Sequence, residues 1–194
     1  MNPHAVSKPR QFLMFHKPKG ATVTLSDEGG RRTVYDILPG FMLRDRWRPI
    51  GRLDRDSRGL LLFTRDGGLV NRLTQPGQYS KLYEVWIRGR ITEEQLRQTL
   101  KGVKTTIGIL KAERVEISGY AGHKTRLLVE LLEGKNRHIR RIFGSLKDPQ
   151  FNSPLKVLDL KRIQIGAVKL DIPSTRWRFL THKEEKALIR GTAC

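Results

Sequence analysis

Apolar positions along the chain fall into short, separated blocks. Phe12-Leu13-Met14-Phe15 reads as a buried strand, stopped by Lys17-Pro18-Lys19-Gly20. Residues 21–48 are polar and rich in Gly and Arg, and predict a loop with one short helix near Val34 to Leu38. A second apolar strand is expected over Gly59 to Thr64, then a helix capped by Asp66 and running to about Leu73. Gln75-Pro76-Gly77-Gln78 is a turn cluster. Residues 81–88 alternate, with Tyr83, Val85 and Ile87 on one face and Glu84, Trp86 and Arg88 on the other, which is strand periodicity. Thr92 with Gln95 makes a capping box for a helix to about Lys101. Strands follow near 109–117 and 124–132.

From Asn136 onward, Ile139, Ile142, Phe143 and Leu146 recur at helical spacing as a narrow apolar stripe. Arg137 and Arg141 point away from that stripe and Arg140 lies on its flank. Residues 155–180 again read as strands. Strands and short helices without regular βαβ alternation predict an α+β fold rather than a doubly wound sheet.

At 194 residues the chain has the length of one domain, or of two lobes sharing a cleft. Residues 1–11, with Pro3 and Pro9, are expected to be a flexible arm, residues 12–182 the folded body, and 183–194 a C-terminal tail. No apolar run approaches the roughly 18 residues of a membrane span. No signal-like segment opens the chain, so a cytoplasmic protein is expected. The single cysteine, Cys194, excludes a disulfide framework and cysteine-rich zinc patterns. No residual apolar patch or heptad asks for a partner, so a monomer is expected.

Charge changes the picture most. Lys and Arg total 38 against 19 carboxylates, for a net charge of +19 and a pI near 10.7. The 23 arginines against 15 lysines favour bidentate phosphate contacts. A charge this high points to nucleic acid as partner. Between Arg44 and Arg65 stand seven arginines and three aspartates. An aspartate repels phosphate, so Asp54 and Asp56 need a reason to sit there. Three roles are open to them: neutralising neighbouring arginines, holding a metal ion as hard oxygen ligands, or, for Asp54, acting on a bound nucleotide held by the arginines. His4, His16, His123, His138 and His182 show no ligand spacing, and the nucleotide-triphosphate, dinucleotide, serine-hydrolase and zincin motifs are all missing.

Five stretches carry a family resemblance. They are Lys17-Pro18-Lys19-Gly20, Gly51-Arg52-Leu53-Asp54-x-x-Ser57-x-Gly59-Leu60-Leu61-Leu62 and Lys81-x-Tyr83-x-Val85, followed by Glu133-Gly134-Lys135-Asn136-Arg137-His138-Ile139-Arg140-Arg141 and Leu160-x-Arg162-x-x-Ile165-Gly166-x-x-x-Leu170. In this order and spacing they resemble the RsuA-type ribosomal pseudouridine synthases over residues 12–182. The resemblance implies isomerisation of uridine to pseudouridine in ribosomal RNA, with no cofactor and no required metal. It implies a mixed, largely antiparallel sheet in two halves with the RNA cleft between them. By position, Asp54 falls on the family's catalytic aspartate, Tyr83 on the tyrosine that stacks on the target base, Arg140 on the basic residue paired with the aspartate, and Ile139 on the aliphatic residue beside them. Lys17, Lys19, Arg52, Arg55, Arg58, Arg65, Lys135, Arg137 and Arg141 are then the expected RNA contacts.

Two departures stand out. Eleven residues before the body cannot hold the small RNA-binding domain many relatives carry, so the chain resembles the short RluE-like members; this favours large-subunit ribosomal RNA or a pre-ribosomal particle as partner. The segment Ser145 to Leu155 differs from the short connector expected after the arginine helix, and Ser174-Thr175-Arg176-Trp177-Arg178 lacks the glycine usual there. Two other readings remain: a non-catalytic RNA-binding or ribosome-assembly module on the same fold, and a metal-dependent transferase using Asp54 and Asp56.

Overall fold

The computed structural model describes residues 10–26 and 29–191; most of the expected arm, with His4, and the terminal Cys194 lie outside the described residues. Strand β1 (Phe12–Lys17) is followed by helix α1 (Phe41–Arg44), strands β2 (Arg48–Pro49) and β3 (Arg58–Thr64), helix α2 (Gly67–Thr74), strand β4 (Lys81–Arg88) and helix α3 (Glu93–Lys101). A small hairpin, β5 (Val103–Thr105) with β6 (Gly108–Leu110), leads to β7 (Arg114–Ala121), β8 (Lys124–Leu131) and helix α4 (His138–Gly144). Then come β9 (Lys156–Ile165), β10 (Val168–Lys169), β11 (Trp177–Phe179) and helix α5 (His182–Arg190).

The main sheet runs β11-β1-β3-β9-β4-β8-β7, with β10 on β9 and β2 on β3. It is α+β and almost wholly antiparallel. The exception is the β3–β9 seam, a short parallel pairing of Arg58 with Lys161 and Gly59 with Arg162. That seam joins the two expected halves. Gly59 makes it possible: its φ is +114, and a Cβ there would lie 2.3 Å from the carbonyl oxygen of Arg162.

The halves are covered differently. β1 is buried at every position. Its even residues Phe12 and Met14 pack with Leu60 and Leu62 of β3 against α2 and α5, and its odd residues Leu13 and Phe15 pack with Leu61 and Phe63 against the 21–47 segment. Strands buried on both faces read as continuous apolar runs, as these do. The segment expected as a polar loop is therefore a covering layer, with Val34, Tyr35, Leu38, Met42 and Trp47 in the core; turns occupy 34–38, and the short helix falls later, at α1. In the other half, β4 and β8 alternate, burying Tyr83, Val85, Ile87, Leu127, Val129 and Leu131 under α3 and α4.

The expected tail is instead a helix. Thr181 and Glu184 form a reciprocal capping box at the start of α5, and Leu188 is buried in the core. The Glu185 carboxylate accepts hydrogen bonds from the backbone N–H groups of Gln11 and Phe12, clamping α5 to the start of β1. The sequence signal, Thr-x-x-Glu before an apolar pair, was present. Residues 182–190 belong to the folded body.

Candidate active site

A cleft of about 1280 Å³ opens beside the seam. Its walls come from the 51–57 loop, the start of β4, the end of β8, the 133–137 turn and β9. Asp54, Tyr83 and Ile139 all line it, as do Arg52, Arg55, Lys135 and Arg137.

The aspartate loop hangs from buried cations. Lys17 ends a strand buried on both faces and is itself 0% exposed. Its ammonium donates to the carbonyls of Ser57 at 2.8 Å, Pro18 at 3.0 Å and Asp54 at 3.2 Å. Burial pulls its pKa down to about 8, against the opposing pull of Asp54 and Asp56. Lys17 is therefore a scaffold for the loop, which corrects the expectation of an RNA contact. On the other side Arg162, 3% exposed, donates Nε to the Leu60 carbonyl at 2.8 Å and places Nη1 3.5 Å from the Arg52 carbonyl, so it reaches both flanks of the loop. Gly20 and Arg55 exchange hydrogen bonds, tying the Lys-Pro-Lys-Gly turn to the same loop.

Arg140, on α4, reaches the loop from behind. Nη2 donates to the Asp56 carbonyl at 3.2 Å and to Ser57 Oγ at 3.3 Å, and Nη1 to the Val157 carbonyl at 3.2 Å. Its ion pair with Asp56 is 3.2 Å, while Nε stands 4.0 Å from Asp54 Oδ2. The nearer carboxylate is thus Asp56 rather than the expected Asp54. Arg140 Nε is buried without a hydrogen-bond partner. Burial disfavours the Arg140 charge, and Asp56, then Asp54, favour it. Arg137 precedes α4 in the left-handed region, at φ 51, and its guanidinium lies 3.4 Å from Asp56 and 3.9 Å from Asp54. Both carboxylates are held by arginines, and among the described residues no group of three or more His, Cys, Asp or Glu side chains could hold a metal ion.

Several expected RNA contacts do not line the cleft. Arg58 makes a bidentate pair with Asp159, and Lys19 joins the same carboxylate at 2.7 Å. Burial raises the Asp159 carboxyl, but the hydrogen bonds from Arg58 and Lys19 outweigh it and hold it below its ordinary value. Arg65 lies over the Trp47 ring, 5.2 Å from its centroid, in a smaller cavity with Phe41 and Phe179. Arg141 is turned to Thr106 Oγ1 and the Asn136 carbonyl. In each case an acceptor or ring that the fold brings near captured the side chain.

Two cleft residues escaped the sequence reading of roles. Lys81 and Arg162 line the cleft at the base of β4 and β9. Lys81 donates to the carbonyls of Tyr79 and Leu132, and burial, helped by Arg162, pulls its pKa down to about 8. Arg162 pairs with Tyr83 across the β4–β9 ladder. Its signal was legible: it stands two residues after the inward Leu160, where an apolar residue is expected.

The chain belongs to the RNA pseudouridylate synthase family, which matches residues 11–145. It is 38% identical over 177 residues to ribosomal large subunit pseudouridine synthase B of Vibrio cholerae, covering 90% of this chain and 53% of that protein. The protein of that name from Haemophilus influenzae is 36% identical over 177 residues, covering 90% of this chain and 47% of its own. The chain thus spans about half the length of these relatives. A solved pseudouridylate synthase superposes with a TM-score of 0.75 at 27% identity, covering 92% of this chain and 73% of the other.

Proposed function

We propose that this protein isomerises uridine to pseudouridine in ribosomal RNA of the large subunit. The observation that carries the reading is one cleft holding Asp54, Tyr83 and Ile139 with Arg140 behind the loop. Family membership and the large-subunit names of the relatives support the substrate. The surrounding arginines and the net charge of +19 suit a polyanion. No helix among the described residues is long and apolar enough to cross a membrane. With ribosomal RNA as substrate, we place the protein with ribosomes in the cytoplasm, acting as a monomer.

In this reading the uridine leaves its stack and enters the cleft. Tyr83, whose ring direction is set by the alternation of β4, stacks on the base, a contact of about 1–3 kcal/mol. Asp54 starts cleavage of the C1′–N1 bond, by attack on the sugar or by proton abstraction. The uracil turns and rejoins C1′ through C5; C5 loses its proton and N1 gains one, so product and substrate have equal mass. Arg137 and Arg140 flank the Asp54 carboxylate at 3.9 and 4.0 Å. Arg52, Arg55 and Lys135 take the RNA backbone.

Tritium release from ribosomal RNA labelled at uracil C5, with a chelator present, tests this. The parent should release tritium and Asp54→Asn should fall by roughly 10²- to 10⁴-fold. Tight binding by the parent without release, on free RNA and on immature subunits, would leave a binding module instead; release lost with the chelator would point to the metal-dependent transferase.

A further inference from the structure

The 145–155 connector builds a braced turn at the far end of β4. Asp148, 2% exposed, accepts from the backbone N–H groups of Gln150 at 2.9 Å, Phe151 at 3.0 Å and Arg90 at 2.7 Å, and pairs with His123 Nε2 at 2.9 Å. The turn presents Phe151, 60% exposed, with the edge of the His123 ring packed on it at 4.8 Å. Close by, Tyr120 is 55% exposed, with the Arg90 guanidinium 4.3 Å from its ring centroid. The strand register sets a row of cations on the face opposite Tyr120, which pairs with the buried Thr125: Arg88 faces Lys124 on one side and Lys156 on the other, and all three are exposed. Among the described residues, none of the three makes an ion pair or hydrogen bond through its side chain.

Each of these features is unfavourable in the free protein. Like charges directly opposite on a sheet repel. Exposed aromatic rings forgo burial, and a carboxylate is taken from water to hold one of them in place. A ligand with flat apolar faces and a chain of negative charges would relieve both the rings and the cations. Single-stranded nucleic acid has that chemistry.

We propose that this end of the sheet is a second RNA-binding surface, wrapped from both faces: Phe151 and Tyr120 stack on unpaired bases, and Lys124, Arg88 and Lys156, on the face opposite Tyr120, take phosphates where the RNA strand passes round the sheet end. The inference deepens the ribosomal RNA reading and rests on it for the identity of the RNA. Arg88 lies five residues along β4 from Tyr83, roughly 17 Å in an extended strand. The surface therefore grips RNA away from the target nucleotide, and a preformed turn lowers the ordering cost of doing so.

The test compares the full-length protein with two multiple variants, Phe151→Leu with Tyr120→Leu, and Arg88→Gln with Lys124→Gln and Lys156→Gln, on a large-subunit ribosomal RNA transcript. The ring variant should bind about tenfold more weakly, with KM raised and kcat unchanged. The cation variant should flatten the salt dependence of binding by about two units of slope, at roughly 0.7 per cation for single strands. Phe151→Tyr, which keeps a ring, should bind as the parent does and so separates stacking from any change in the fold. Unchanged affinity in the ring variant together with an unchanged slope in the cation variant would overturn the proposal, as would a loss at Phe151→Tyr equal to that of the ring variant. Tritium release by the parent is scored separately. Its absence would sink the isomerase reading, while the binding comparison would still decide the surface.

Discussion

At its two ends β4 carries comparable positive charge in opposite conditions. By the cleft, the cations Lys17, Arg140, Arg162 and Lys81 are turned inward, with their N–H groups on backbone carbonyls. At the far end Arg88, Lys124 and Lys156 stand exposed in a row. The difference shows that a charge of +19 is not one property of this molecule. Part of it is scaffold for the aspartate loop, part is paired with carboxylates such as Asp159, and the Arg88, Lys124 and Lys156 row stands exposed. A buried ammonium can satisfy several carbonyls that no strand ladder reaches, which a shorter or apolar side chain cannot do.

Replacing Lys17 breaks the comparison most sharply. Lys17→Met leaves the Asp54 and Ser57 carbonyls without their donor, at about 1–3 kcal/mol each, partly offset by no longer burying a charge. A net loss of about 2 kcal/mol should appear as a melting temperature lowered by roughly 4–8 °C. Tritium release should fall by at least ~10²-fold, because the backbone of Asp54 is among the groups released. Arg88→Gln, the matching change at the far end, should leave stability unchanged or raise it. Equal losses from the two substitutions would erase the distinction.

The pH dependence of stability gives an intermediate effect. Lys17 and Lys81 both sit near 8 in the folded protein, against an ordinary value of 10.5. Between those values the unfolded chain binds more protons than the folded one, so their contribution rises with pH across about 8 to 10.5 and is lost as pH falls through about 8. The urea midpoint should therefore climb from pH 7.5 to pH 10, and Lys81→Met should remove part of the climb. A flat profile would mean that neither ammonium is desolvated as the structure has it.

The smallest effect sharpens the boundary within the cleft itself. Arg52 lines the cleft, and among the described residues no side-chain hydrogen bond or ion pair of its own holds it. Arg52→Gln should flatten the salt dependence of RNA binding by about one unit, with no change in melting temperature. Arg58→Gln, which loses a bidentate pair with Asp159, should do the reverse. A slope change at Arg58 matching that at Arg52 would return Arg58 to the RNA contacts.

Much of this arrangement was legible in the chain. The alternation over 81–88, the capping box at Thr92 and the apolar run over 59–64 are local signals, and each element lies where its pattern put it. Asp54, Tyr83 and Ile139 could be named as one site through the resemblance alone, and the cleft brings them together. What local pattern could not supply was the fate of each cation. Lys17 and Lys19 are two residues apart in one motif, yet one is buried under the aspartate loop and the other is ion-paired with Asp159 at the surface.

The cause is the range of the forces involved. Propensity, capping and periodicity act within one or two turns of chain, so sequence by itself determined the elements, their faces and the residue types of the site. Where a guanidinium or ammonium ends depends on which carbonyl or carboxylate the fold carries to within about 3 Å of it. For Arg162 and Leu60 that partner is 102 residues away, for Arg140 and Ser57 it is 83, and for Arg58 and Asp159 it is 101. The fold, closed at the β3–β9 seam, brings such groups together, and so the tertiary structure decided which charges support the cleft and which stay exposed.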